Sequence, residues 1–175
     1  HSFYSNLIYN SIISNTLHKF ATGLNFTSDD YNEYVAVNGP LTDVSRRDNS
    51  VGAFFEYTFD NNDKLSYVLG GRMDYHNRLG VFFTPRFHLK YNAFENSVFR
   101  ISAGRGKRAA NIFAENQNLF ASSRAISILG TKGEVYGLSP EIAWNYGISF
   151  TQKFKLFSKS ADVTVDFYRT DFQNQ

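Results

Sequence analysis

The chain has 175 residues, enough for one domain, and it carries 18 Lys and Arg residues against 16 Asp and Glu residues. This near balance of charge argues against a nucleic-acid partner, which would require a marked basic excess on one face. The chain has no cysteine, which excludes a disulfide framework, a thiolate metal site and a cysteine nucleophile. It also has no run of about 18 apolar residues, the length that a transmembrane helix requires.

The dominant pattern along the chain is an alternation of apolar and polar residues. In the middle of the chain, for example, Phe87 and Leu89 alternate with Arg86, His88 and Lys90. Such a period of two predicts β-strands with one apolar face and one polar face. In chain order, the predicted strands are 2–13, 17–28, 49–60, 64–76, 83–93, 98–106, 141–154 and 161–172.

The connections between these strands are alternately short and long. Short turns are predicted at 14–16, 61–63, 94–96 and 155–160, and longer polar links at 29–48, 77–82 and 107–140. Short turns at one end and long loops at the other are typical of an up-and-down barrel in an outer membrane. Several predicted strands also exceed the soluble average of about 5–6 residues and match the roughly 9–11 that cross a bilayer. We therefore predict an all-β, antiparallel, up-and-down transmembrane β-barrel segment of about eight strands.

Aromatic residues make up 17% of the chain, and they gather near the predicted strand ends. Tyr57, Tyr91 and Phe150 lie near short turns, whereas Tyr75 and Trp144 lie near long links. Aromatic girdles at both interfaces are expected of a membrane barrel. A soluble β-sandwich or a lipocalin would show the same alternation, so the aromatic placement and the strand lengths favour the membrane barrel.

No residue pattern indicates catalysis, a metal site or a cofactor. The four histidines lack metal-ligand spacing, and no serine lies in a G-x-S-x-G elbow. The glycine-rich stretch 104–108 lacks the spacing and the hydroxyl residue of a phosphate-binding loop, so a bend in a strand is the better interpretation. We expect a protein that is not an enzyme.

Four motifs in order along the chain carry a family resemblance. They are FTPRFHLKY at 83–91, FRISAGRG at 99–106, LSPEIAWNYG at 138–147 and DFYRTDF at 166–172. With them the chain resembles the β-barrel portion of TonB-dependent outer-membrane receptors, of the kind common in Bacteroidetes, across about 83–172. One departure is Lys107, where the family more often has an aromatic residue.

The resemblance implies a larger protein than these 175 residues. Such receptors are similar to a barrel of about 22 strands that is closed by an N-terminal plug domain. The plug engages the TonB energy-coupling complex of the inner membrane. We therefore expect 1–175 to be a single segment of barrel wall, without the plug, in a bacterial outer membrane. Its expected partners are membrane lipid, the plug and a scarce transported ligand such as an iron chelate, a cobalamin-like cofactor or an oligosaccharide.

Two other architectures remain open at this point. One is a self-contained eight-stranded outer-membrane barrel with a structural or adhesive role, or a small membrane enzyme, and the other is a soluble β-sandwich binding module. Pairing between the strands predicted at 2–13 and 161–172 would indicate the closed small barrel. Two free edges would indicate part of a larger one, because long exposed edges otherwise promote aggregation.

The longest link, 107–140, is predicted to be an extracellular loop that contacts the ligand. It mixes cationic and aromatic residues, of which the candidates for ligand contact are Lys107, Arg108, Phe113, Phe120 and Arg124. The alternative is a loop that only folds over the mouth of the barrel.

The polar face is predicted to carry a second set of charges inside the lumen: Arg72, Arg86, Lys90 and Arg100. If the turn at 94–96 has three residues, Leu89 faces Ile101 on the outer face and Lys90 faces Arg100 on the inner one. Like charges opposite each other across a strand pair are destabilising, so this position should attract an anion. A carboxylate of the plug is the expected partner, with an anionic ligand as the alternative. Arg72 and Arg86 would make the wall basic along several strands.

Overall fold

The structure is a computed structural model, and it describes residues 1–35, 42–43, 45–61, 64–109, 115–116, 118 and 138–174. These residues form ten strands: β1 (Ser2–Ile12), β2 (His18–Tyr31), β3 (Tyr34–Val35), β4 (Thr42–Asp43), β5 (Arg46–Asn61), β6 (Leu65–His76), β7 (Gly80–Phe94), β8 (Ser97–Arg108), β9 (Glu141–Leu156) and β10 (Lys159–Asn174). None of the described residues belongs to a helix with the length and apolar character needed to span a membrane.

Eight of the strands form one sheet in the order β1-β2-β5-β6-β7-β8-β9-β10, and every neighbouring pair is antiparallel. The sheet is therefore an up-and-down meander. The short β3–β4 hairpin lies in the link between β2 and β5. The predicted all-β, antiparallel class with eight main strands is confirmed.

The sheet has one continuous apolar face, defined here as the face of Leu7 on β1. One cross-strand row runs Leu7–Leu24–Ala53–Met73–Phe83 over β1, β2, β5, β6 and β7. Its side chains are exposed: Leu7 is 68% exposed and Met73 55%. No large side chain among the described residues is fully buried, so the sheet has an apolar face but no enclosed core.

The opposite face, called here the polar face, carries most of the charged residues of the strands. Asn25, Gly52 and Asp74 form one of its rows across β2, β5 and β6. Further along the sheet, Lys90, Arg100 and Ser149 form another row across β7, β8 and β9. The alternation in the sequence therefore divides the two faces as predicted.

Within the described residues, both outer strands of the sheet have only one hydrogen-bonded neighbour. β1 pairs with β2, and β10 pairs with β9, but β1 and β10 do not pair with each other. The closed eight-stranded barrel is therefore wrong. The β-sandwich is also wrong, because no second large sheet packs against the first in this part of the chain.

Several strands are longer than predicted, and the connections are correspondingly shorter. The link expected at 77–82 is a three-residue turn at 77–79, followed by Gly80 with φ +67°, a conformation that glycine adopts without steric cost. The turn expected at 155–160 is only Phe157 and Ser158, both with positive φ. β2 and β5 extend by three residues each into the link expected at 29–48, as far as Tyr31 and Arg46.

The turn between β7 and β8 has two residues rather than three, yet the predicted register is correct. Glu95 and Asn96 form the turn, and the ladder shifts by one residue between Asn92 and Phe94. A β-bulge inserts one extra residue into one strand. The bulge at Ala93 therefore shifts the pairing by one residue, as a third turn residue would have done. Lys90 lies opposite Arg100 as predicted.

Candidate functional site: lumen wall and rim

The polar face contains a depression of about 510 Å³ that runs over β5 to β9. Glu56, Arg72, Arg86 and His88 contribute polar side chains to its lining. Among the described residues, no group of three or more His, Cys, Asp or Glu side chains could hold a metal ion. The functional interest of this face lies in how its charges are paired.

Arg72 is paired within its own strand. Its Nε and Nη2 atoms donate to the carboxylate of Asp74 at distances between 2.7 and 2.9 Å. The Asp74 side chain is only 4% exposed, and that of Arg72 is 43% exposed. The neighbouring strand makes room for this carboxylate at Gly52, where an added Cβ would lie 2.0 Å from Asp74 Oδ1 and 2.6 Å from Asn25 Oδ1. Glycine is therefore required by this close approach of side chains.

Arg86 is paired across three strands. The row Glu56–Gly70–Arg86 places its guanidinium within ion-pair distance of the Glu56 carboxylate, over the backbone of Gly70. Arg72 and Arg86 therefore both have carboxylate partners in the sheet itself. The predicted basic wall is wrong at these two positions, because acidic residues of the same face neutralise them.

Lys90 and Arg100 differ from these two cations. They lie directly opposite each other on β7 and β8, and no carboxylate of the described residues lies within 4 Å of either one. Arg100 Nη1 donates to Thr151 Oγ1 at 3.3 Å, a neutral contact. The predicted juxtaposition of like charges is confirmed, and the predicted anion stays a prediction.

At the end of the sheet near the long links, a chain of ion pairs crosses the polar face. Arg46 contacts Glu33 at 2.8 Å and Asp48 at 3.0 Å, and Asp48 contacts Arg78 at 3.0 Å. The Arg46 guanidinium also lies 4.2 Å from the centre of the Tyr31 ring. The network joins the base of the β2–β5 link to the 77–79 turn, and Arg46, at 10% exposure, is well shielded from water.

Side chains also hold the 77–79 turn to its neighbours. The Asn77 side chain accepts from the Asn49 amide at 3.0 Å and donates to the Arg47 carbonyl at 2.9 Å. Lys107 Nζ donates to the Leu79 carbonyl at 2.9 Å. These contacts connect the 77–79 turn to β5 and β8. In the neighbouring link, two hydrogen bonds from Ser45 lower the pKa of the Asp43 carboxyl.

The candidates for ligand contact in the 107–140 link are only partly described. Lys107 fastens the 77–79 turn, and Arg108 pairs with Glu141 at 2.6 Å and with Glu115 at 3.1 Å. Both cations thus have structural partners at the rim. The other three candidates, Phe113, Phe120 and Arg124, lie outside the described residues. Ligand contact by this link stays a prediction.

Sequence reasoning missed the acidic partners, although a local signal was present. The pattern Arg-x-Asp occurs at 46–48, 72–74 and 169–171, and each Arg Nε contacts its Asp carboxylate at 3.0, 2.7 and 2.8 Å. Residues two apart in a strand share a face, so this spacing places the two charges side by side. The cross-strand partner Glu56 required the register of two successive hairpins, which no single segment reveals.

The family model described as "TonB dependent receptor-like, beta-barrel" matches residues 2–175. The chain belongs to this family. Its members are outer-membrane β-barrels that act as receptors and transporters rather than as enzymes. No curated protein sequence matches the chain. The predicted family is confirmed, whereas the Bacteroidetes origin stays a prediction.

Solved structures of siderophore receptors share this fold. The siderophore receptor PirA from Acinetobacter baumannii matches with a TM-score of 0.71 and 14% identity over 99% of this chain and 27% of that one. The ferric enterobactin receptor PfeA from Pseudomonas aeruginosa, a mutant in complex with enterobactin, matches with a TM-score of 0.72, again at 14% identity and with the same coverage. PirA from Pseudomonas aeruginosa matches with a TM-score of 0.67 and 15% identity, over 98% of this chain and 31% of that one. The chain therefore spans less than a third of the receptors that it matches.

Proposed function

We propose that residues 1–175 form one segment of the barrel wall of an outer-membrane receptor that imports a ferric siderophore by energy-coupled transport. The observation that carries this proposal is the similarity of the whole eight-stranded sheet to siderophore receptors, within a chain that matches the receptor-barrel family over residues 2–175. In the complete receptor, this wall closes into a barrel of about 22 strands around a plug domain. The plug in turn engages the TonB complex.

In this proposal the apolar face contacts membrane lipid, and the polar face lines the lumen. The exposure of the apolar face supports this orientation, since Ile148 is 53% exposed and Phe167 64%. A large contiguous apolar surface is unusual on a soluble monomer and is expected of a membrane barrel. Aromatic contacts on the apolar face at both ends of the strands also support this orientation. Near the short turns, the ring centroids of Phe99 and Phe150 are 4.5 Å apart, and near the long link the rings of Trp144 and Tyr146 are stacked.

The loop 107–140 offers a direct test of transport. In the full-length receptor, deletion of 115–132 should leave the outer-membrane assembly unchanged, because β8 ends at Arg108 and β9 begins at Glu141. Uptake of radiolabelled ferric enterobactin, the first probe to use, should be lost. The control replaces 115–132 with a Gly/Ser segment of equal length, so that loop length is kept and side-chain chemistry is removed.

The results separate three cases. Loss of uptake in both variants, with normal assembly, supports ligand contact by the side chains of this loop. Unchanged uptake in the deletion variant removes the loop from the binding site. If the intact receptor assembles in the outer membrane but imports a cobalamin or an oligosaccharide instead of ferric siderophores, the ligand class proposed here is wrong.

A further inference from the structure

We propose that Lys90 and Arg100 form a docking site for a carboxylate group from another part of the same receptor that lies inside the barrel. The inference rests on the proposed function, because the polar face is an interior surface only if the sheet is a barrel wall. It assigns a role to two like charges that lie directly opposite each other and have no carboxylate of the described residues within 4 Å.

Arg100 is the exception among the arginines of the polar face. The described strands place five of them there: Arg46, Arg72, Arg86, Arg100 and Arg108. Four have a carboxylate oxygen of a described residue within 4 Å, and Arg100 does not. This face therefore neutralises its arginines as a rule, and the exception requires an explanation.

Lys90 lies directly across from Arg100. A like-charged pair in this position is destabilising unless an anion lies between or above the two groups. The row continues to Ser66 on one side and to Ser149 on the other, and both serines line a depression of about 350 Å³ together with Lys90 and Arg100. Two cations and flanking hydroxyl groups provide the donors that a carboxylate accepts.

The nearest acidic residues in the same row do not reach the cationic pair. Asp60 and Asp166 lie at the two ends of this row, each two strands away from the nearer cation. With a spacing of about 4.8 Å between strands, the backbones are separated by roughly 10 Å. Asp60 already accepts a hydrogen bond from Ser66. These two acidic residues of the wall therefore lie on either side of the cationic pair, but neither of them is in contact with it.

The position of Arg100 along its strand indicates the source of the carboxylate. Arg100 lies eight residues, or about 26 Å, from the end of β8 at the long link, and three residues, or about 10 Å, from its start at Ser97. The partner therefore lies inside the barrel near its short-turn end, far from the long links. The chain spans only 27% of the siderophore receptors that it matches, so most of such a receptor lies outside these 175 residues and can supply that segment.

The experiment uses zero-length carbodiimide cross-linking of the full-length receptor without ligand, followed by mass spectrometry. A carbodiimide joins a lysine amine to a carboxylate only when the two are in contact. Lys90 should become linked to an Asp or Glu outside residues 1–175. Two variants serve as controls. Lys90→Arg keeps the charge but cannot form the amide, so the link should disappear. Arg100→Glu provides a competing carboxylate opposite Lys90, so the long-range link should fall at least tenfold.

Two outcomes would overturn the inference. A Lys90 link only to Asp60 or Asp166 would show that the wall neutralises itself, and no link at all would show that no carboxylate lies there. In a parallel arm, an amine-reactive label replaces the carbodiimide, with and without ferric enterobactin. Protection of Lys90 from the label by ferric enterobactin, in a receptor that gives no long-range link, would assign the site to the ligand. Because cross-linking is independent of uptake, a receptor that imports iron normally but gives no link would refute this site alone.

Discussion

The two faces of the sheet are built on different principles. On the apolar face, neighbouring side chains such as Leu24, Ala53 and Met73 could be replaced by other apolar side chains, because the lipid that we propose around this face stabilises any apolar group. On the polar face, several charges depend on particular partners, as Arg72 depends on Asp74. The apolar face should therefore tolerate changes of shape and reject charge, whereas the polar face should tolerate charge and reject changes of shape. The following substitutions in the full-length receptor test this difference.

The largest effect is expected from a charge on the apolar face. Leu89→Arg or Ile148→Arg should destabilise the assembled barrel by about 2–4 kcal/mol near the membrane midplane and block its assembly. The matched control is His88→Arg, next to Leu89 on the polar face. Heat modifiability on gels and outer-membrane fractionation measure assembly. If His88→Arg were damaging and Leu89→Arg were tolerated, the proposed orientation of the sheet would be inverted.

A smaller effect is expected from one methyl group on the polar face. Gly52→Ala places a Cβ 2.0 Å from Asp74 Oδ1, so the carboxylate has to move and its contacts with Arg72 are strained. We expect a loss of about 1–3 kcal/mol, the usual cost of overpacking. Gly106→Ala is the control, since an added Cβ there meets no atom within 4 Å. Urea unfolding in lipid vesicles compares the two, and equal stability of both variants would show that Gly52 is not a packing requirement.

The smallest effects should separate two copies of the same local motif. Asp74→Asn removes the charge of a carboxylate that is 4% exposed, and we expect a loss of about 1–2 kcal/mol, reduced by the partial exposure of Arg72. In the pair of Arg169 with Asp171, the side chains are 66% and 45% exposed. Asp171→Asn should therefore leave the urea midpoint unchanged. Similar midpoints for the two variants would mean that burial does not distinguish these pairs.

The sequence predicted the repetitive features of this fold better than the specific ones. A period of two identified all eight main strands and the division of faces, because each residue's side is determined by parity alone. The predicted position of Lys90 opposite Arg100 was correct, although the turn has two residues rather than the three assumed. The bulge at Ala93 adds the missing residue and so keeps the predicted register. The pairing of Arg86 with Glu56 was missed, because it depends on the register of three strands together. Alternation cannot reveal such a relation between distant segments.

The meander order of the strands has a kinetic consequence. Neighbours in the main sheet follow each other along the chain, apart from the β3–β4 hairpin between β2 and β5, so most pairings close short loops, down to two residues between β9 and β10. The longest separation is at the seam between β8 and β9, which are separated by the 32 residues of 109–140. Relative to a two-residue loop, closure entropy grows by about 0.6 kcal/mol for each doubling, or roughly 2 kcal/mol in this case. We therefore expect the β9–β10 hairpin to form as a separate folding unit and the β8–β9 seam to be the slowest to close, which pulse-labelled hydrogen exchange would detect as late protection of β9.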